Sequence, residues 1–131
     1  VRKAHATELA EDYVEAIADT IEAEGECRVK HLAQKFGVTH VTVSKAVARL
    51  VEQGLATTER QKPIELTAVG KKLARESKRR HDIVLAFLRA VGVGEATAEI
   101  DAEGIEHHIS PETLDRLREF TERQGLTEPG R

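Results

Sequence analysis

Aromatic residues are scarce: the 131 residues include one tyrosine, three phenylalanines and no tryptophan. An aromatic-lined pocket or stacking platform is therefore poorly supplied, and no organic small-molecule ligand is expected. The one cysteine, Cys27, rules out a disulfide framework within the chain. No apolar run approaches the length of a membrane span and no signal peptide is visible, so the expectation is a cytoplasmic protein with no membrane partner. The chain opens at Val1 rather than at a methionine, which allows for a leader trimmed before it.

What the chain does have is charge, 33% of its residues. With cores of Leu, Ile, Val and Ala, this suits an all-helical protein of one or two small domains, or a dimer that completes one core. The net charge of −3 conceals three blocks. Residues 1–27 carry 2 basic and 8 acidic side chains, residues 28–80 carry 13 and 4, and residues 81–131 carry 5 and 11. A single basic cluster is usually a solvated face, but a balance of +9 in the middle block is the electrostatic footprint of a nucleic-acid partner.

Residues 7–24 place Leu9, Ala10, Tyr13, Val14, Ile17 and Ile21 on one apolar face, with Asp12 and Glu15 on the polar side, where periodicity alone leaves them solvated. Gly25 ends that helix. Residues 28–55 read as two helices around a turn at Gly37. Val29, Leu32, Ala33 and Phe36 are buried on the first; Thr39 caps the second, which turns Val43, Val47 and Leu50 inward. This pattern predicts a helix-turn-helix rather than an ordinary helical hairpin, because small polar and basic groups occupy its outward positions. Thr39, His40, Val41, Thr42, Ser44, Lys45 and Arg49 are the candidate DNA contacts. Residues 56–66 lack a helical period and predict two short strands around Gln61-Lys62-Pro63, a wing whose Arg60 and Lys62 reach phosphates.

Thr67 caps a long helix to about Ala90, basic in its first half and apolar in its second, which marks the passage into a packing or dimerisation module without a flexible linker. His81 stands at that seam beside Val84, Leu85 and Leu88. Such a histidine is most often a satisfied, partly buried residue, but the acidic helix 99–109 follows across the turn Val91–Gly94. There Glu99, Glu103, Glu106 and His107 fall within one quadrant at 100° per residue, and Ala98, Ala102, Ile105 and Ile109 on another side. The choice is between a solvated acidic face and a cation site, since oxygen and nitrogen donors at i, i+3 and i+4 can reach one ion. Ser110-Pro111-Glu112 then starts a last amphipathic helix carrying Leu114, Leu117, Phe120 and Thr121, and the tail after Gln124 is expected to fray. The predicted fold is mostly α: a winged helix-turn-helix DNA-binding domain over 1–75 with a short β-wing, then an all-helical metal-binding and dimerisation domain over 76–131.

EDYVEAI at 11–17, the helix-turn-helix, LTAVGKKLA at 66–74, RRHDIV at 79–84 and DAEGIEHHIS at 101–110 together resemble the DtxR/MntR metalloregulators, and within them the short manganese transport regulators. The resemblance covers nearly the whole chain. It implies a metal site joining the first helix to the dimerisation domain, with ligands on Asp12, Glu15, His81, Glu103, Glu106 and His107. His108, about 100° round the helix from His107, is expected behind the ligands or on the surface. The donors are hard or borderline and methionine is absent from the chain, which excludes Cu(I) and cysteine-rich zinc sites. Iron-responsive relatives carry a methionine and a cysteine where this chain has Asp12 and Glu106, so the resemblance points to the manganese branch. Two Mn2+ per chain are expected, bridged by Glu15 and Glu106; Fe2+, Co2+, Cd2+ or Zn2+ can substitute.

Pro63 departs from the family's wing, and with the chain ending at Arg131 no third, SH3-like domain is expected. The implied function is a Mn(II)-activated repressor of manganese uptake genes, a homodimer on a palindromic double-stranded operator, and not an enzyme. An Fe(II)-responsive regulator of the same family is the alternative. Carboxylate-rich helices also build two-metal enzymes, but that reading leaves the basic block and the helix-turn-helix without a role. A winged-helix sensor of an organic ligand needs an apolar pocket that this composition does not favour.

Overall fold

The computed structural model describes residues 2–125, with side chains from Thr7 onward. From residue 126 on, the expected frayed tail lies outside the described residues. In chain order the elements are α1 (Arg2–Glu24), α2 (Val29–Phe36), α3 (His40–Glu52), β1 (Ala56–Thr57), β2 (Glu65–Leu66), α4 (Ala68–Ala90), α5 (Glu95–Glu106) and α6 (Pro111–Arg123). They form two compact units that divide between Glu76 and Ser77, within α4. Among the described residues no helix is long and apolar enough to cross a membrane.

The first unit is a winged helix-turn-helix. Its core gathers Tyr13, Val14 and Ile17 of α1, Leu32 of α2, Val43, Val47 and Leu50 of α3, and Ile64 and Leu66 of the wing. Burying a side chain such as Ile17 or Leu32 contributes about 2–3 kcal/mol, so these few residues supply much of the unit's cohesion. The Tyr13 and Phe36 rings add a tilted contact at 4.7 Å. Gly37, at φ +65°, makes the turn between α2 and α3 in the left-handed region that glycine enters without strain. Thr39 then caps α3 by accepting the Thr42 N–H at 3.1 Å. The wing is minimal, pairing Ala56 with Leu66 and Thr57 with Glu65 antiparallel. Pro63 lies outside both strands and interrupts no ladder. The next residue returns the chain to the core: the Ile64 N–H donates to the Cys27 carbonyl at 2.8 Å. The Thr67 hydroxyl accepts from the Gly70 N–H at 3.0 Å and donates to the Gly54 carbonyl at 2.7 Å, fastening the start of α4 to the exit of α3.

The second unit packs Val84 and Leu85 of α4, Ala98 and Ala102 of α5 and Leu114 of α6, with Ile83, Leu88, Val93, Ile109 and Leu117 around them. Ser110 caps α6 through the Thr113 N–H, and Pro111 occupies the first turn, where its missing N–H costs nothing.

Three expectations are corrected. The acidic helix begins at Glu95 and stops at Glu106, leaving His107 as its C-cap, instead of running 99–109. Ile105 is exposed and Glu106 is buried, the reverse of the expected faces. Asp12 and Glu15 are half-buried rather than solvated, because α1 buries a wide arc that takes in even Glu11.

Candidate metal centre and nucleic-acid interface

The centre of the second unit is a buried carboxylate. Ala98, Ala102 and Glu106 follow one another at successive turns of α5, and both alanines are fully buried. Their small side chains keep that face of α5 close to its neighbours, and the same ridge carries Glu106 inward to 2% exposure. An ionised carboxylate placed there alone costs several kcal/mol, so it needs partners. The partners are imidazoles. His81 Nδ1 of α4 lies 2.9 Å from Glu106 Oε2, and His107 Nε2 stands 3.6 Å from Glu106 Oε1. On its other side the His81 ring meets Glu99, with Nε2 3.3 Å from Oε2. The His107 side chain is 5% exposed and that of His81 18%, so the cluster is partly shielded from water.

His81, Glu106 and His107 are thus brought together within this unit. Glu103 is exposed and, among the described residues, is not part of that contact set. His108 is exposed and follows the end of α5 in a turn, its N–H donating to the Ile105 carbonyl at 3.0 Å. Asp12 and Glu15, three apart on α1 in the first unit, are half-buried and each engaged in polar interactions. The helical period located the acidic stretch but gave no sign that Glu99 pairs with a histidine some eighteen residues earlier. That contact depends on how α4 and α5 meet.

The donor set fits a divalent cation of hard or borderline type. The buried Glu106 carboxylate faces one imidazole at each of its oxygens, His81 at Oε2 and His107 at Oε1, and no thiol is among these donors. Cys27, the only thiol, is fully buried in the first unit, where burial pushes it up to about 11.

In the first unit every candidate DNA contact on α3 and its cap is exposed: Thr39, His40, Val41, Thr42, Ser44, Lys45 and Arg49. Val41, 63% exposed although apolar, makes no contribution to the core. The helix begins at a polar tip where the Thr39 and Thr42 hydroxyls lie 2.9 Å apart. Arg60 and Lys62 are exposed on the connection between the wing strands, and Lys62 pairs with Glu59 at 2.9 Å. The Arg28 guanidinium reaches the Gln61 carbonyl at 3.4 Å, tying that connection to the start of α2. A groove of about 520 Å³ between α2, α3 and the wing is lined in part by Lys30, Ser44, Thr58 and Lys62.

The model of the iron dependent repressor metal binding and dimerisation domain matches residues 67–124, and that of the MarR family matches residues 16–63. The transcriptional regulator MntR of Escherichia coli O6:H1 is 48% identical over 125 residues, covering 95% of this chain and 81% of the relative. The transcriptional regulator MntR of Salmonella typhimurium is 46% identical over 127 residues, covering 97% and 81%. Among solved structures, a manganese-dependent transcriptional repressor in complex with manganese superposes with a TM-score of 0.77 at 29% identity. That match covers 86% of this chain and 52% of the other, so the chain spans about half the length of that structure. A helix-turn-helix with a polar outward face, a carboxylate–imidazole centre and these likenesses agree: the chain belongs to the MntR family of transcriptional regulators.

Proposed function

We propose that this chain is a Mn(II)-activated, DNA-binding transcriptional repressor of manganese uptake genes, acting as a homodimer on a palindromic operator. The observation that carries the reading is the buried Glu106 carboxylate flanked by His81 and His107, in a chain that also presents a polar recognition helix. The relatives named for manganese regulation support the choice of metal.

The proposed ligands are Asp12, Glu15, His81, Glu103, Glu106 and His107, holding two Mn2+ per chain, with Fe2+, Co2+, Cd2+ or Zn2+ able to substitute. When bound, the cation offsets the mutual repulsion of the four carboxylates. Asp12 and Glu15 belong to the DNA-reading unit and the other four to the helical one, so metal occupancy and the state of the reading unit are thermodynamically linked. Metal favours DNA binding only to the extent that the DNA-competent state holds it more tightly. Thr39, His40, Thr42, Ser44, Lys45 and Arg49 supply base-edge and phosphate contacts without bulk, Val41 offers a methyl contact, and Arg60 and Lys62 reach phosphates from the wing. A homodimer is supported by the matched dimerisation domain and by exposed apolar side chains in the same unit, Val91, Ile100 and Phe120 among them. Two recognition helices about one DNA turn apart, ~34 Å, suit a palindrome.

The test is operator affinity in metal-free buffer with and without Mn2+. The reading requires a gain of ten-fold or more on adding Mn2+; equal affinity overturns it.

A further inference from the structure

Glu99 lies outside the proposed ligand set, yet its carboxylate makes the second contact of the His81 ring. It occupies α5 two turns before Glu106, a spacing that returns to nearly the same face of a helix. The two carboxylates bracket the imidazole: Glu106 Oε2 lies 2.9 Å from Nδ1 and Glu99 Oε2 lies 3.3 Å from Nε2. The environments of the two contacts differ. Glu106 is 2% exposed and also faces His107, whereas the Glu99 side chain is 49% exposed. Glu106, with His107 at its other oxygen, therefore lies on the Nδ1 side of the ring, and Glu99 lies on the side that meets solvent.

An imidazole that binds a cation through one nitrogen carries its proton on the other, and a carboxylate accepting that N–H fixes the tautomer and the ring's orientation. The geometry points to Glu99 as a positioning residue for the metal centre: it holds the His81 proton on Nε2 and so presents Nδ1, beside Glu106 and His107, to the cation. This rests on the metal-site reading above and goes beyond it, since Glu99 itself touches no metal. Loss of such a hydrogen-bond partner weakens metal binding by about ten- to a hundred-fold.

The experiment compares wild type, Glu99→Ala, Glu99→Gln and Glu95→Ala by calorimetric titration with Mn2+. It also records nitrogen-15 spectra of the histidine rings in the zinc-loaded proteins. Glu95 is an exposed residue on the same helix, bonded to Arg89, and serves as the charge-matched control. The expected result is a loss of affinity of at least about ten-fold in Glu99→Ala and substantial recovery in Glu99→Gln, whose amide oxygen still accepts. Glu95→Ala should behave as wild type. The spectra should show a protonated His81 Nε2 in wild type and in Glu99→Gln, and a blurred or reversed pattern in Glu99→Ala. If Glu99→Ala binds Mn2+ like wild type, the inference fails while the metal centre stands. If Glu99→Gln is as weak as Glu99→Ala and the His81 pattern is unchanged, Glu99 acts by charge or direct ligation and the inference again fails. If wild type itself does not bind Mn2+, the metal-site reading is what has failed.

Discussion

The Leu55 carbonyl oxygen occupies the space that a side chain on Gly70 would need: a Cβ built there would lie 2.0 Å from it. The same oxygen accepts the Thr67 N–H at 3.0 Å, so it cannot easily move away. Gly70→Ala must therefore push the first turn of α4 off the end of the helix-turn-helix. Overpacking of this kind costs about 1–3 kcal/mol, and backbone rather than a flexible side chain is obstructed here, so the upper end is expected. Thermal unfolding of the variant should show a midpoint lower by roughly 5–10 °C.

Removing the carboxylate at Glu106 should affect metal binding more than folding. Glu106→Gln keeps the shape and a hydrogen-bonding partner for His81 while deleting the charge. Mn2+ affinity by calorimetry should drop by ten-fold or more, with helix content by circular dichroism unchanged. Glu106→Ala, which removes the carboxylate that both imidazoles face, should lose metal binding and about 1–3 kcal/mol of stability as well.

On the DNA side, Lys45→Ala and Arg49→Ala should each weaken operator binding and lower the slope of log affinity against log salt by about 1 if the residue meets a phosphate. A substitution that instead leaves the slope alone and relaxes sequence preference would mark a base contact. Thr39→Ala should cost about 1 kcal/mol of stability, because it removes the cap of α3, in addition to any loss of DNA affinity.

Cys27 gives a pH test. Burial raises its thiol to about 11, above the roughly 8.5 of an unfolded chain, so the folded state favours the neutral form. The corresponding stability is present in full below the unfolded value and is lost as pH rises through the folded one. The free energy of unfolding from urea titration should fall between about pH 8.5 and pH 11 by an amount on the order of 2 kcal/mol, and less in Cys27→Ala measured against its own neutral-pH value. Near neutral pH, iodoacetamide should label Cys27 only in denaturant, since the side chain is fully buried.

Local features were legible from residue order. The caps at Thr39, Thr67 and Ser110, the turn at Gly37 and the inward Val43, Val47 and Leu50 are set within a few residues of one another, and the structure has them as expected. What could not be read was decided between elements. Periodicity placed Ile105 inside and Glu106 outside; the structure reverses them, because an imidazole from α4 supplies the partner that a buried carboxylate requires. The pairing of His81 with Glu99 belongs to the same class. Gly70 looked like an ordinary helix residue, since the obstruction comes from a carbonyl fifteen positions back in the chain.

Ala98 and Ala102 carry no chemistry of their own, yet they set how near α5 lies to its neighbours and so where the Glu106 oxygens stand relative to His81. A single methylene added at either position would act as a shim, lifting the carboxylate by a fraction of an ångström while leaving every donor atom in place. The threshold concentration at which such a sensor answers could then drift through its apolar packing alone, with the ligands untouched.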